Sequence, residues 1–307
     1  HRDLHSFPTR RSSDLGGFLT IFNNPNLTSI SGLGSLTSVG GSTTIEQNLI
    51  LPTLSGLENL TTIGGLLRIN SCNTLSNMEG LNGLTSIAGI CEIFGNTSII
   101  NLVGLENLQS IGGQLWIGSN PNLLSLNGLS GLTELPGGLV IQWNDLLPNL
   151  NGLENITSVN NLAIAYNPVL TSLSGINNLN SITIDLFVHS NLALTNFNGL
   201  NNLTSIGRDC WFNINGITNL NGLGSVTSIG RSLTLSGNHS LTSLSGISSL
   251  PHIGGTLAIF DNASLPNLNG LENLTSIAGA LYLRANAALA SLSGLENLSS
   301  IGRLEFE

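Results

Sequence analysis

The sequence predicts a mainly β, right-handed parallel β-solenoid of about twelve coils, each 23–24 residues long, with little α-helix. Three observations support this prediction. A Gly-Leu or Gly-Ile pair recurs along most of the chain, aliphatic residues recur within each interval at spacings of two and three, and one position in each interval is almost always Asn. Such self-similarity is typical of a protein in which each repeat contacts only its neighbours.

The recurring glycine pairs define the coil length. Consecutive pairs lie 23 or 24 residues apart, so twelve coils extend from residue 16 to about residue 300. A thirteenth coil starts at Ile301 and is truncated. The glycines of these pairs are Gly32, Gly56, Gly80, Gly104, Gly128, Gly152, Gly175, Gly199, Gly222, Gly246, Gly270 and Gly294.

Each coil combines a strand signal with a second spacing. In the coil that starts at Leu115, Leu115 and Ile117 alternate with other residues, which is the period of a β-strand. The next apolar residues recur at every third position. That spacing fits neither a 3.6-residue helix nor a regular strand, and it favours short extended or 3₁₀-like pieces. These residues are Leu123, Leu126, Leu129, Leu132 and Leu135.

Alignment of the coils predicts a continuous interior. One coil alone has too few apolar groups to be stable, but stacked coils bury a common core. Their strands are expected to pair in parallel, about 4.8 Å apart, with the right-handed crossovers usual for parallel strands. One inward column contains no polar residue, and its members are Ile21, Ile45, Ile69, Ile93, Ile117, Ile141, Ile164, Val188, Phe212, Leu235, Ile259 and Leu283.

A second column is almost entirely Asn. It lies three residues after the inward column, and Cys72 is its single exception. An amide carries both donors and an acceptor, so stacked amides are expected to satisfy one another and the backbone of the turns. The column consists of Asn24, Asn48, Cys72, Asn96, Asn120, Asn144, Asn167, Asn191, Asn215, Asn238, Asn262 and Asn286.

The repeat L-x-I-x-x-N-x-x-L-x-x-L-x-G-L-x-x-L-x-x-I-x-G resembles the leucine-rich-repeat superfamily. It is most similar to the receptor L-domain branch, of the type found in bacterial or protist surface proteins, as in LTSIAGICEI at residues 84–93. It differs from the common consensus by having two residues between the Asn and the next Leu and by lacking a helix-forming arc. The resemblance covers residues 16–307 and implies a secreted or surface protein that binds a ligand without catalysis.

The two ends of the chain differ from the repeats. Residues 1–15 lack the repeat pattern and resemble translated adapter DNA, so we expect a non-native segment there and a single solenoid over residues 16–307. They also lack the apolar stretch of a signal peptide. Because the repeats begin and end on strands without polar caps, we expect a fragment whose caps, signal peptide and anchor lie outside it.

The composition argues against several classes of protein. Charged residues make up 8% of the chain, and 8 basic against 17 acidic residues give a net charge of −9, the wrong sign for contacts with phosphates. We therefore expect no nucleic-acid partner. The sequence contains no run of 18 apolar residues, so we expect no membrane span in this fragment.

No catalytic, cofactor or metal motif is present in the sequence, so we expect no enzyme activity, no cofactor and no metal site. A carboxylate recurs in one outer slot at Glu58, Glu106, Glu154, Glu272 and Glu296, for which a solvated surface is favoured over a calcium site. The three cysteines are expected to be small buried residues rather than disulfide partners.

The aromatic residues carry the functional hypothesis. Seven of them occupy the outward slots of the strands, and two more follow at the strand ends, where their orientation is open. An exposed aromatic strip indicates an interaction surface, although aromatic residues also favour strands in general. The predicted face contains Phe22, Phe94, Trp116, Trp143, Tyr166, Phe187, Trp211, Phe260 and Tyr282, mixed with Arg68, Glu92, His189 and Arg284.

The sequence thus favours an extracellular or cell-surface binding or adhesion module that uses this face for a protein or a glycan. Two alternatives stay open. One is a structural spacer without a specific ligand. The other is an ice-binding protein that uses the Thr-Ser column, for example Thr61-Thr62 and Thr85-Ser86, as a hydroxyl ladder.

Overall fold

The structure, a computed structural model, describes residues 13–306 as a parallel β-solenoid of about twelve coils. Each coil contributes a four-residue main strand and a two-residue minor strand, and in the last coils the two merge into longer strands. The main strands are β2 (Leu19–Phe22), β4 (Thr43–Glu46), β6 (Leu67–Asn70), β8 (Cys91–Phe94), β10 (Leu115–Gly118), β12 (Leu139–Gln142), β14 (Leu162–Ala165), β16 (Leu186–His189), β18 (Cys210–Asn213), β20 (Leu233–Ser236) and β22 (Leu257–Phe260).

The minor strands precede the main strands by a short glycine-rich turn. They are β1 (Asp14–Leu15), β3 (Ser38–Val39), β5 (Thr62–Ile63), β7 (Ser86–Ile87), β9 (Ser110–Ile111), β11 (Glu134–Leu135), β13 (Ser158–Val159), β15 (Ser181–Ile182), β17 (Ser205–Ile206), β19 (Ser228–Ile229) and β21 (His252–Ile253). The merged strands are β23 (Ser276–Arg284) and β24 (Ser300–Phe306).

The main strands form one parallel sheet, called the main sheet below. From β2 to β22, each residue pairs with the residue at the same position one coil later, for example Leu115 with Leu139. The minor strands pair in the same way but are interrupted between β9 and β11. Pro136 follows β11 and lacks the N–H that Gly112, in the same position, donates to Ile87 O.

The third-position leucines lie in tight turns, as the spacing predicts. Leu57 N donates to Leu54 O at 3.2 Å, and Leu60 N donates to Leu57 O at 3.0 Å. These bonds join residues three apart, which is the 3₁₀ pattern. The helix found among the described residues is a 3₁₀ turn at Ser31–Leu33.

The predicted inward columns form one continuous core. Ile45 and its equivalents in the following coils are almost completely buried, while Ile21 at the N-terminal end is partly buried. Phe197 and Phe212 are fully buried, and their ring centroids lie 4.1 Å apart. Stacking therefore buries apolar groups that no single coil could cover.

The asparagine column forms a hydrogen-bonded ladder inside the solenoid, as predicted. Asn167 illustrates the unit: its Nδ2 donates to Ile141 O at 3.1 Å and to Ala165 O at 3.0 Å. Its Oδ1 accepts the backbone N–H of Asn144 at 3.1 Å. Each amide thus ties its own turn to the preceding coil, and most members of the column are fully buried.

Cys72 occupies the Asn position in its coil and makes weaker contacts to the same backbone groups. Its Sγ lies 3.6 Å from Ile45 O and 3.6 Å from Asn70 O, the two positions that an Asn Nδ2 would address. Burial raises the pKa of this thiol, and the backbone N–H of Asn48, which points at the sulfur, opposes that rise. Sulfur is a weak donor and a weak acceptor, so the ladder is weakest here.

The recurring outer carboxylates close the turn of their own coil. Glu58 accepts the backbone N–H of Gly56 at 2.8 Å, and Glu154 accepts that of Gly152 at 2.8 Å. In other coils an Asn does the same, as Asn82 does for Gly80. Turn capping therefore accounts for this column, and the described residues contain no cluster of three metal-ligating side chains.

From Gly56 onward, the glycine of each pair is required by its backbone. Gly152 has a φ of +116°, and a Cβ placed on it would lie 2.3 Å from Leu126 O of the preceding coil. Glycine adopts such a conformation without steric cost. The repeat marker in the sequence is therefore a point at which adjacent coils approach closely.

The N-terminal boundary at residue 16 stays a prediction, and most of the predicted non-native segment lies outside the described residues. At its end, Asp14–Leu15 pairs with Ser38–Val39 in the minor-sheet register. Asp14 Oδ1 accepts the hydroxyls of Ser38 and Thr37, which lower the pKa of the carboxyl. The repeat register therefore extends to residue 14.

A candidate ligand-binding face on the main sheet

The open face of the main sheet is formed by the second and fourth residues of each main strand. Their side chains point away from the core because successive residues of a strand face opposite sides. The structure places the aromatic residues predicted for these slots on this face and not in the core. Phe22 is exposed, and the others are half-buried: Phe94, Trp116, Phe187, Trp211, Phe260 and Tyr282.

Eight of the nine predicted aromatic residues, all but Phe22, form three clusters rather than one continuous strip. Phe94 and Trp116 form the first, with ring centroids 5.1 Å apart. Phe260 and Tyr282 form the third, with centroids 6.4 Å apart. The second, between them, contains Trp143, Tyr166, His189, Phe187 and Trp211, which are linked by ring contacts of 4.9–6.3 Å.

The break between the first two clusters has a local cause. The indole of Trp116 folds over Gly118 in its own strand, where a Cβ would lie 2.9 Å from Trp116 Nε1. Trp143 does not lie on the strand but in the turn immediately after β12. The two tryptophans therefore do not continue one row, and Trp116 Nε1 is buried without a hydrogen-bond partner among the described residues.

Trp143 and Tyr166 occupy a turn position with unusual backbone geometry, called the turn slot below. Both have a φ of +55°, in the left-handed region that disfavours bulky side chains. Their rings are stacked, with centroids 5.5 Å apart and planes at 16°. They are 43% and 42% exposed, which answers the orientation that the sequence left open. Other coils place smaller residues in this slot, including Asn23, Ser71, Gly95, Ser119 and Gly237.

His189 connects this pair to the strand aromatics. Its Nε2 lies 2.9 Å from Tyr166 Oη and 3.1 Å from Ser190 Oγ. Its ring also contacts Phe187. The predicted histidine is thus part of the aromatic cluster, and its Nδ1 is buried without a partner among the described residues.

The predicted charged residues lie mainly outside the aromatic clusters. Arg68 and Glu92, on neighbouring strands, form an ion pair with each other. Beside them, Asn70 Nδ2 donates to Glu46 Oε1 at 3.1 Å. Arg284 is exposed on the other side, next to the third cluster. The N-terminal part of the open face is therefore polar, and its central part is aromatic.

The structure adds an exposed aliphatic edge that sequence reasoning missed. These residues lie in the turns after the main strands of coils 5 to 9, at several different positions of the repeat, and Ile214 occupies the turn slot itself. No single aligned column of the sequence therefore contains the signal. The residues are Leu124, Leu146, Val169, Leu192 and Ile214, with exposures of 39–65%.

Two depressions open on this face. One, of about 700 Å³, lies between Phe94 and Trp143 and includes Ser119, Pro121 and Asp145 in its lining. The other, of about 360 Å³, lies between the second and third clusters. It is lined by Phe187, Trp211, Asn213, Thr234, Ser236 and Phe260.

The cysteines do not contribute a nucleophile to this face. Cys72, Cys91 and Cys210 are buried and free, as the sequence predicts. Burial raises the pKa of Cys91 to about 12 and raises that of Cys210 well above its usual range. Both thiols therefore stay protonated and inert at neutral pH.

No helix among the described residues is long and apolar enough to cross a membrane.

Comparison with known protein families supports the resemblance to leucine-rich repeats that the sequence indicates. A family model, the BspA type leucine-rich repeat region, matches residues 142–242 in six copies, about a third of the chain. The match covers this part of the chain, and the solenoid is consistent with a leucine-rich-repeat fold. The assignment to the receptor L-domain branch stays a prediction.

Among solved structures, one titled "Crystal structure of TLR13-ssRNA13 complex" is similar at 16% sequence identity and a TM-score of 0.26. The match covers 95% of this chain and 55% of that one, so the chain spans about half of that protein's length. No curated protein matches the chain.

Proposed function

We propose that this protein is a non-enzymatic extracellular or cell-surface binding or adhesion module that contacts a protein or glycan through the open face of its main sheet. The observation that carries the proposal is the stacked pair Trp143 and Tyr166. Two large, partly exposed rings occupy a turn slot that disfavours them. Backbone strain of this kind is concentrated at functional sites, since it persists where something other than stability is gained.

The surroundings of this pair support a contact surface. The aliphatic edge and the second aromatic cluster both lie in the central coils, and exposed apolar surface of this kind marks interaction sites. Aromatic residues are also enriched among the residues that dominate binding energy. Leucine-rich repeats of the BspA type typically occur in secreted or surface proteins, which supports the proposed location.

The electrostatic balance favours a protein or glycan over a nucleic acid. The chain carries a net charge of −9, and its predicted binding face has only two Arg, one of which is paired with Glu92. Nucleic-acid binding depends on Lys and Arg contacts with phosphates. The ice-binding alternative is disfavoured because the first hydroxyl of each pair is committed to the backbone of the preceding coil, as Thr85 Oγ1 donates to Thr61 O at 3.0 Å.

The test replaces the pair with a residue that other coils use in the turn slot. A Trp143→Ser, Tyr166→Ser variant is expected to fold at least as stably as the parent and to lose its signals on arrays of extracellular proteins and glycans. The matched control is Ile90→Ser, which removes a 40% exposed aliphatic side chain from the opposite end of a main strand. Equal binding by the parent and the double variant would contradict the proposal.

A further inference from the structure

The smaller depression on the open face has a defined architecture. In the pairing register of the main sheet, Trp211 lies beside Thr234, and Ser236 lies beside Phe260. Strand β20 therefore carries small side chains between two strands that carry rings. Two strand spacings of about 4.8 Å separate β18 from β22, and the two rings are offset by two residues along the strands, which leaves a diagonal slot for one flat ring between the aromatic walls. The volume of about 360 Å³ is in the range of small-ligand clefts.

The floor of this cleft presents hydrogen-bonding groups that the protein does not use. The side-chain amide of Asn213 and the hydroxyls of Thr234 and Ser236 make no hydrogen bond to another described residue. The equivalent amide in β6 behaves differently, since Asn70 donates to Glu46. Ser236 is only 9% exposed, so its hydroxyl has restricted access to solvent. Polar groups in such places normally have a partner.

The lining contains no charged residue, which favours a neutral ligand. A pyranose ring fits this combination of groups. Its C–H bonds carry partial positive charge and pack against the negative faces of aromatic rings, while its hydroxyls both donate to and accept from amides and hydroxyls. An extended peptide fits less well, because its backbone N–H and C=O groups require hydrogen-bond partners on an unpaired strand. The main strands already pair with each other on both sides throughout this region.

We propose that the cleft between Trp211 and Phe260 binds one hexopyranose unit of a neutral glycan. The ring stacks between the aromatic walls, and Asn213, Thr234 and Ser236 bind its hydroxyls. This inference deepens the proposed function, because the cleft lies on the same face. It involves coils other than those of Trp143 and Tyr166, so the two sites are separable by mutation.

Three neutral oligosaccharides test the inference: cellotetraose, chitotetraose and β-1,4-galactotetraose. Each is titrated into the intact protein, with tryptophan fluorescence and calorimetry as readouts. At least one is expected to bind. Trp211→Ala is expected to weaken that binding by about tenfold, and Thr234→Trp is expected to abolish it by filling the cleft. Trp116 occupies the same outward slot as Thr234, so the sheet accommodates an indole there.

Phe18→Ala is the matched control, because it removes an exposed aromatic ring that lies before β2 and outside the predicted face, and it should leave sugar affinity within about twofold. Circular dichroism checks that all variants keep the parent fold. Binding that survives Thr234→Trp, or that is lost equally in Phe18→Ala, would overturn the inference. So would the absence of binding by all three sugars. Binding of a ten-residue oligothymidylate instead, lost in Thr234→Trp, would replace the sugar with nucleic acid.

These outcomes are distinct from a failure of the proposed function. If no sugar binds but array signals still depend on Trp143 and Tyr166, the sugar site is refuted while the open face remains a binding surface. If the sugar binds but the Trp143→Ser, Tyr166→Ser variant gives the same array signals as the parent, the sugar site is supported and the central coils are not the contact surface.

Discussion

Removal of one amide from the asparagine ladder should destabilise the protein strongly. In Asn167→Ala, the buried backbone N–H of Asn144 loses its acceptor at 3.1 Å, and Ile141 O loses a donor at 3.1 Å. Ile141 O and Ala165 O are less affected, because in the parallel ladder they also accept the backbone N–H of Ala165 and of Trp143. The stranded N–H of Asn144 costs about 1–3 kcal/mol, and each of the two lost amide bonds costs about 0.5–1.5 kcal/mol. The expected loss in free energy of unfolding is therefore about 2–6 kcal/mol.

The assay is guanidinium unfolding followed by circular dichroism, with hydrogen exchange at residues 141–167 as a local readout. Asn178→Ala is the matched control, since its Nδ2 makes a single exposed bond to Glu154 O at 2.7 Å and its loss should cost less than about 1 kcal/mol. The reverse change, Cys72→Asn, should complete the ladder and add about 1 kcal/mol. Equal effects of Asn167→Ala and Asn178→Ala would refute the reasoning.

Two further predictions concern the turn slot and the thiols. Ile214 has a φ of +53°, so Ile214→Asn should raise the free energy of unfolding by about 1 kcal/mol. Ile100 is about equally exposed but has no positive φ, so Ile100→Asn should show no such gain. Similar gains at both sites would contradict the explanation by backbone strain at Ile214. Because burial raises the pKa of Cys91 to about 12, the native thiols should not react with Ellman's reagent at pH 8. All three should react in guanidinium, and stoichiometric labelling of the native protein would refute this assignment.

The periodic part of the fold was predictable because the same physical constraint repeats in every coil. The inward column at Ile117, the amide column at Asn120 and the turns at Leu126 and Leu129 each follow from a spacing that recurs along the chain. One instance of such a spacing is ambiguous, but many instances average out local exceptions. For this reason the spacing assigns Cys72 to the amide column even though its side chain carries no amide.

The details of the candidate face were less predictable because they depend on single residues rather than on the repeat. The sign of φ at Trp143 and the fold of the Trp116 indole over Gly118 decide which rings meet, and spacing does not contain either. The pairing of Arg68 with Glu92 depends on side-chain conformation. The cleft at β20 arises where rings are missing, so a search for aromatic residues passes over it.

The coil-to-coil bonds described above have a consequence for how such a chain changes length. Strand pairing, the amide bonds and the glycine contacts all connect one coil of 23 or 24 residues to the next, with partners 23–27 residues apart. Deletion or duplication of one such segment joins matching surfaces and leaves every junction intact. The chain can therefore grow or shrink by genetic recombination in increments of about 4.8 Å, and each increment inserts or removes a pair of outward side chains without repacking the interior.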